Sequence, residues 1–310
     1  MNGLALSRAY FERFGDPMLR ENFPDLYPRL AAGKVGEGSD CFGYDDEHSR
    51  DHDFEVGFYI FAPDDTPRKA LFALERAYAA LPHSFEGVDR PRIAPPGGRR
   101  CGVLTVSEFY QKALGVATPP DDHRDFYRIP DYALAAATNG EVFYDGAGEF
   151  SRRRAGFITL PDDVRLQKLA AALIAAGQSG LYNYPRCLSH GEDGAAQLAI
   201  HEFVKNVLQI CFVLDKKHPP FYKWVFRAMA TLPRFAFLAE SLVFLLSTEN
   251  TTALAKRKTE MIADIAHHLS EALRAEGLSA RADYELEAHA YEVKGRLSPK
   301  SPLYSLSVWG

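Results

Sequence analysis

Carboxylates and imidazoles are concentrated in one short stretch of the sequence, GEGSDCFGYDDEHSRDHDF, from Gly36 to Phe54. These nineteen residues contain seven acidic side chains, two histidines and three glycines. Like charges held close together destabilise a folded chain unless solvent or a cation offsets them. The stretch is therefore either a solvated acidic loop or a site that binds a cation.

Two aspartates in this stretch, Asp51 and Asp53, have the spacing of a metal site. Asp53 begins DFEVGFYIFAP, a predicted strand, and Asp51 lies two residues before it. In a strand, side chains at i and i+2 point to the same face, with Cα atoms roughly 6.5–7 Å apart. Paired carboxylates of this kind hold two divalent ions about 3.5–4 Å apart in phosphoryl-transfer sites. Magnesium prefers such oxygen ligands, so Asp51 and Asp53 are the predicted metal ligands.

A small turn, Gly38-Ser39, lies upstream of the paired aspartates and ends another predicted strand. Glycine lets the backbone come close to a phosphate, and serine adds a hydroxyl donor beside exposed N–H groups. The segment thus combines a predicted phosphate-binding turn with a predicted magnesium site. This combination suits a nucleoside triphosphate bound with magnesium.

Alternative interpretations of the acidic stretch remain open. His48 and His52 are four residues apart, a spacing that pairs zinc ligands on a helix, and a histidine-aspartate pair also occurs in phosphohydrolases. The oxygen ligands and the following strand argue against both. Asp45 and Asp46 fit solvent-facing or loop-capping roles, and Arg50 fits local charge balance as well as phosphate binding.

Hydrophobic periodicity predicts the elements that must position these residues. Strand patterns cover residues 30–38, 53–63 and 103–110, and helical patterns cover residues 4–14 and 68–82. These segments predict a mixed α/β domain over residues 1–155.

The second half of the sequence has a different character. Apolar helical patterns follow one another over residues 162–177, 193–214, 219–231, 234–247 and 251–276, with no strand signal between them. The sequence therefore predicts a helical bundle over residues 156–310. The predicted fold class is α+β, a mixed sheet with flanking helices followed by this bundle.

Composition narrows the class of protein. Hydrophobic residues make up 46% of the chain, charged residues 25%, and the net charge is −5, so no global basic field favours nucleic acid or an anionic membrane. The four cysteines lack CxxC spacing, which predicts free thiols, and the N-terminus lacks a signal pattern. We expect a cytoplasmic protein without a membrane partner.

The whole acidic block, preceded by Val35, resembles a bacterial family of unknown function that is assigned to the polymerase-β-like nucleotidyltransferase superfamily. The segments NYPR and HPPFYKW resemble recurring parts of the helical domain in that family. The resemblance implies a nucleotidyltransferase fold for the N-terminal domain. It also implies transfer of a nucleotidyl group, with release of pyrophosphate.

The resemblance assigns roles to individual residues. Asp51 and Asp53 would bind two magnesium ions, and Gly38 and Ser39 would hold the β- and γ-phosphates. A third carboxylate usually comes from a neighbouring strand, for which Glu108 in VLTVSEFY is the candidate. Asp145 is a poorer candidate, because an aspartate is commonplace in its predicted turn.

Candidates in the helical domain are weighed against structural roles. Lys223 either meets the triphosphate, as a helical-domain lysine does in related enzymes, or is an ordinary exposed lysine. Asn183, Arg186 and Tyr222 are candidates for an acceptor pocket, although the first two equally fit helix capping or internal pairing.

The predicted function is transfer of a nucleotidyl group to a hydroxyl acceptor, with ATP as the expected nucleotide and a small molecule as the favoured acceptor. A protein side chain or a tRNA end is an alternative acceptor. A nucleotide-binding regulatory protein without turnover is an alternative of a different class.

Overall fold

The computed structural model describes residues 2–46, 55–90 and 100–310. Over this part of the chain a mixed β-sheet and its flanking helices come first, and helices alone follow. The predicted fold class, α+β with a helical C-terminal region, is confirmed. The predictions for Arg50, Asp51 and Asp53 lie outside the described residues.

Two compact units make up the chain. The first contains Met1–Pro120 and Ile129–Ile158, and the second contains Asp121–Arg128 and Thr159–Gly310. The sequence predicts a single domain boundary, after residue 155. The segment Asp121–Arg128 interrupts the first unit in sequence but belongs to the second unit. Within it, the Nδ1 atom of His123 lies 2.7 Å from a carboxylate oxygen of Asp163.

The strands are β1 (Ala31–Lys34), β2 (Tyr59–Ala62), β3 (Ser84–Phe85), β4 (Val88–Asp89), β5 (Gly102–Thr105) and β6 (Glu141–Asp145). Four of the described strands form one sheet in the order β5-β2-β1-β6. β1 is antiparallel to both of its neighbours, and β2 is parallel to β5. β3 and β4 form a separate short hairpin.

The helices of the first unit are α1 (Gly3–Tyr10), α2 (Asp16–Asn22), α3 (Arg68–Ala79), α4 (Val106–Leu114), α6 (Asp131–Thr138) and α7 (Glu149–Ile158). Those of the second unit are α5 (His123–Arg128), α8 (Asp162–Ala176), α9 (Tyr184–Ser189), α10 (Asp193–Leu214), α11 (Tyr222–Met229), α12 (Ala239–Ser247), α13 (Thr252–Ala275) and α14 (Leu286–Lys294). A π-helix, Gly177–Asn183, joins α8 to α9.

Both faces of the central strand β2 are buried, which explains its continuous aromatic and aliphatic sequence. Ile60 belongs to the core that includes Tyr10 and Leu74 from the helical layer. On the opposite face the ring of Phe61 stacks on Phe150, with centroids 4.0 Å apart. Burying each such side chain stabilises the fold by about 1.5–3 kcal/mol, so the packing holds β2 firmly in the sheet.

The second unit is built around α8, which packs against α10 and α14. The helical pattern predicted over residues 251–276 is confirmed as α13, whose residues Ile262, Ile265, Leu269 and Leu273 are buried. By length and composition α10 also qualifies as a membrane-crossing helix, but 61% of the qualifying window is buried inside the protein. Core helices of soluble proteins pass the same test.

Most of the predicted segments are confirmed, and one is partly wrong. The predicted strand over residues 103–110 ends at Thr105, where α4 begins. The Thr105 hydroxyl accepts the N–H of Glu108, and the Glu108 carboxylate accepts the N–H of Thr105. This capping box satisfies two backbone donors at the helix start, so it favours a helix over the continued strand.

Candidate functional site

The predicted phosphate-binding turn follows β1 directly. Gly36 has a φ of +130°, a conformation that favours glycine. A Cβ atom on Gly38 would lie 2.0 Å from a carboxylate oxygen of the buried Asp40, so this position leaves no room for a side chain. Ser39, which is partly exposed, precedes a short 3₁₀-helix, Asp40–Phe42.

Two backbone N–H groups of this turn take no part in the hydrogen bonds of the sheet. The N–H groups of Ser39 and Asp40 meet no acceptor among the residues that the structure describes. The Ser39 carbonyl accepts N–H groups from Phe42 and Tyr44, at 3.2 and 2.8 Å, which closes the turn from the other side. Free N–H groups beside glycines and a serine hydroxyl can bind an anion.

Strand register brings several chain segments to this turn. Gly33 pairs with Tyr59, Lys34 pairs with Glu141, and Tyr59 pairs with Gly102. The end of β1 and the beginnings of β2, β5 and β6 therefore lie at the same end of the sheet, which we call the turn end. Glu55, two residues after Asp53 in the sequence, leads into β2 at the turn end.

A buried group of charges lies under the turn. The ammonium of Lys34 is 3.3 Å from a carboxylate oxygen of Asp40 and donates to the backbone carbonyl of Glu55 at 3.4 Å. All three side chains are buried, with 1%, 3% and 6% of each residue exposed. Sequence analysis missed this group, because a lysine between glycine and valine gives no sign of burial.

The Lys34 ammonium has the buried Asp40 carboxylate as its ion-pair partner, and it contacts Glu55 through the backbone carbonyl. Burial by itself lowers the pKa of Lys34, but the negative charge of Asp40 and smaller acidic contributions outweigh it, so the pKa of Lys34 lies above its usual value. The Oε1 atom of Glu55 is buried without a hydrogen-bond partner in the described part of the chain. The turn end thus carries a buried carboxylate oxygen that a cation would stabilise.

Cys41, beside this group, carries a buried free thiol. Burial raises the pKa of its thiol, and the charge of Asp40 raises it further. A thiol held in the protonated form is unreactive. All four cysteines are free thiols, as predicted.

A side chain from far along the sequence holds the turn at its first glycine. The Asn139 amide oxygen accepts the N–H of Gly36 at 2.9 Å, and the amide nitrogen donates to the Gly36 carbonyl at 2.6 Å. Sequence reasoning missed Asn139. Its Asn-Gly dipeptide signals only a local turn.

Two further acidic residues occupy other positions. Asp45 accepts the N–H of Gly3 at 2.8 Å and so caps α1, in agreement with its predicted loop-capping role. Asp145 pairs with Ala31 at the opposite end of β1, and one of its oxygens accepts the N–H of Ser151. This register separates Asp145 from the turn end by the length of a four-residue strand.

Glu108 is exposed at the first turn of α4 and not on a strand, which corrects the structural basis of its prediction. Its Oε2 atom lies 2.7 Å from the backbone nitrogen of Thr105 in the capping box. This contact accounts for a glutamate at position 108 without a bound metal ion. Its predicted role as a catalytic carboxylate stays a prediction.

The predicted residues of the second unit occupy helix starts and ends. Lys223 is exposed on α11, with its ammonium 5.0 Å from the centre of the Trp224 ring. Tyr222, the first residue of α11, is 76% exposed. Asn183 ends the π-helix and is half-buried, and the exposed Arg186 guanidinium lies 5.8 Å from the Tyr182 ring.

A pocket of about 440 Å³ lies in the first unit beside the edge strand β5. Its walls combine aromatic rings with charged groups from α3 and α4, namely Tyr59, Phe72, Tyr78, Glu75, Arg76 and Lys112. None of the sequence-predicted site residues that the structure describes lines it.

Comparisons with known proteins give one family match. A family described as a domain of unknown function (DUF4037) matches residues 126–225, which is less than half of the chain. NYPR and HPPFYKW lie within this range, whereas the acidic stretch lies outside it. No curated protein matches the chain.

Among solved structures, the chain is similar to the crystal structure of a nucleotidyltransferase-like protein from Exiguobacterium sibiricum 255-15. The two are 12% identical, and the match covers 94% of this chain and 80% of that one with a TM-score of 0.35.

The buried ion pair leads to a prediction about stability. Lys34→Met removes the cation from the buried Asp40 carboxylate, and breaking a buried pair in this way costs about 3–5 kcal/mol. Urea denaturation followed by circular dichroism measures this loss. Arg29→Met, which breaks an exposed pair with Asp65, is the matched control and should cost at most about 1 kcal/mol. Equal, small losses in both variants would show that Lys34 is not held as described.

A second prediction separates the two roles of Glu108. Glutamine also completes a capping box, so Glu108→Gln keeps the helix start while removing the negative charge. The predicted metal-binding role requires this variant to lose more than about a hundredfold in the rate of pyrophosphate release from a nucleoside triphosphate, at unchanged stability. A wild-type rate in an equally stable variant would leave Glu108 with its capping role alone.

Proposed function

We propose that this protein is a magnesium-dependent nucleotidyltransferase that transfers a nucleotidyl group from a nucleoside triphosphate to a hydroxyl acceptor. One observation carries the proposal. The turn at Gly38 and Ser39 and the start of the chain segment into β2 lie at the same end of the sheet. Asp51 and Asp53 come directly before that segment in the sequence.

The turn supplies the phosphate site of the proposal. The N–H groups of Ser39 and Asp40, which meet no acceptor in the described part of the chain, would donate with the Ser39 hydroxyl to the β- and γ-phosphate oxygens. The absence of a side chain at Gly38 lets the phosphates approach the backbone. Arg50 and Lys223 are proposed as further cations for the triphosphate, a role for which a lysine acts as a point charge.

Magnesium fits the donor set that the sequence places here. Asp51 and Asp53 would hold it, and the Oε1 atom of Glu55, buried without a hydrogen-bond partner among the described residues, supports a cation at this end of the sheet. Oxygen donors of this type suit magnesium better than zinc. When bound, two magnesium ions would offset the negative charge of the triphosphate and of the leaving pyrophosphate.

The reaction joins the acceptor oxygen to the α-phosphorus while the bond to the pyrophosphate oxygen breaks. The hydroxyl proton passes to solvent, and pyrophosphate departs. The residues of this chain contribute mainly by positioning the triphosphate on the turn and by directing N–H donors at its oxygens. We propose a small hydroxylated molecule as the acceptor, and Asn183, Arg186 and Tyr222 as its binding residues. Protein or tRNA acceptors are alternatives.

One observation favours a second candidate function. Glu108, the predicted third carboxylate, is already used in a capping box on an exposed helix start. A nucleotide site without a third carboxylate fits a regulatory protein that binds a nucleoside triphosphate without turnover. In that case magnesium-dependent binding would be saturable, and no pyrophosphate would form.

Labelled nucleotides test the proposed transfer. Purified protein, magnesium and each of four α-labelled nucleoside triphosphates are incubated with cell extract split into small-molecule, protein and RNA fractions. We expect label in the small-molecule fraction, and a loss of at least about a hundredfold in Asp51→Asn and Asp53→Asn, because each substitution removes a metal ligand.

Asp25→Asn is the matched control, since it makes the same change at an exposed position of the first unit. It should transfer label at the wild-type rate. Undiminished transfer by the Asp51 and Asp53 variants, in folded protein, would contradict the proposed mechanism. Nucleotide binding without transfer to any fraction would favour the regulatory alternative.

A further inference from the structure

The amide of Asn139 makes a two-point contact with Gly36, at the start of the turn. It accepts the Gly36 N–H at 2.9 Å and donates to the Gly36 carbonyl at 2.6 Å, across 103 residues of sequence. The two bonds engage both backbone groups of one residue, whose φ of +130° is otherwise uncommon. A side chain placed in this way restricts the rotation of the peptide units on both sides of Gly36.

Asn139 is itself held in place by neighbouring groups. The Arg154 guanidinium donates to the carbonyls of Thr138, Asn139 and Gly140, at distances from 2.6 to 3.3 Å. These carbonyls end α6, and a cation at a helix C-terminus is favourable. The Arg154 side chain therefore fixes the segment that carries the amide.

The opposite side of this segment contacts the turn again. The N–H of Gly140 donates to the carbonyl of Cys41 at 2.9 Å. Gly140 has a φ of +66°, and a Cβ atom there would lie 2.0 Å from the Lys34 carbonyl, so the two segments are packed backbone to backbone. The turn is thus held before Gly38 by Asn139 and after Ser39 by Gly140.

We infer that Asn139 is a positioning residue for the triphosphate, because its amide fixes Gly36 so that the turn holds its N–H groups ready before the phosphates arrive. The inference rests on the proposed function of the turn. Fixing a loop in its bound conformation lowers the entropy cost of binding. Without the amide, the triphosphate itself would have to order the turn.

Asn139→Ala tests the inference through the kinetics of transfer. Loss of the two hydrogen bonds between the Asn139 amide and the Gly36 backbone should raise the KM for the magnesium nucleotide by about tenfold or more. The kcat should change by less than about twofold, because the missing order affects ground state and transition state alike. A purely structural role would instead lower kcat, through a smaller folded fraction, and leave KM unchanged.

Hydrogen exchange of the nucleotide-free protein gives a readout independent of activity. In Asn139→Ala the peptide covering residues 35–43 should exchange faster than in the wild type, while the β2 peptide exchanges at the wild-type rate. Asn139→Asp keeps the acceptor but places a carboxylate against the Gly36 carbonyl and near the phosphates. Its KM should be higher than that of Asn139→Ala.

Gln111→Ala is the matched control, since it removes an amide that donates to the carbonyl of Gly115 at 2.8 Å on α4. Its KM and the exchange of residues 35–43 should equal those of the wild type. An unchanged KM in Asn139→Ala, with wild-type transfer intact, would overturn this inference alone. A wild-type protein that neither binds nor transfers nucleotides would overturn the proposed function and this inference together.

Discussion

The ion pair between Lys34 and Asp40 is the contact on which the turn end of the sheet depends. It joins the last residue of β1 to the first residue of the 3₁₀-helix, with the glycine turn between them. Because both groups are buried, loss of either partner leaves an unpaired charge in a medium of low polarity. The same ammonium donates to the backbone of Glu55, so it also anchors the segment that leads into β2. The shape of the turn and the entry to β2 are therefore set by one cation.

The remaining supports of the turn are hydrogen bonds to backbone groups. Asn139 holds Gly36, Gly140 holds Cys41, and Arg154 holds the segment that carries both. Among the described residues, the N–H groups of Ser39 and Asp40 meet no acceptor. Under the proposed function, phosphate oxygens would accept from these two groups, beside the acidic sequence that contains the predicted metal ligands.

The elements were predictable where one physical signal dominates. β2 is apolar because both of its faces are buried, and the helices of the second unit show clear apolar periodicity. The helix at Glu108 was mistaken for a strand because its aromatic residues resemble a strand pattern, although the Thr-x-x-Glu spacing signals a capping box. β6 was missed because its residues EVFYD form a short run between glycine turns.

The site was predictable only in part. Gly38 and Ser39 lie in a turn after β1 as expected, because their chemistry is local to the sequence. Lys34, Glu55 and Asn139 were missed, because burial and long-range pairing decide their roles and neither leaves a local pattern. The Gly36 contact of Asn139 spans 103 residues, so no window of the sequence contains both partners.

A crystal structure of the protein with magnesium and an α,β-methylene nucleoside triphosphate tests the central claim most directly. The account predicts β- and γ-phosphate oxygens within hydrogen-bond distance of the backbone at Gly38 and Ser39. It also predicts magnesium bound to Asp51 and Asp53. A nucleotide bound elsewhere, or phosphates at the turn without metal on either aspartate, would contradict it.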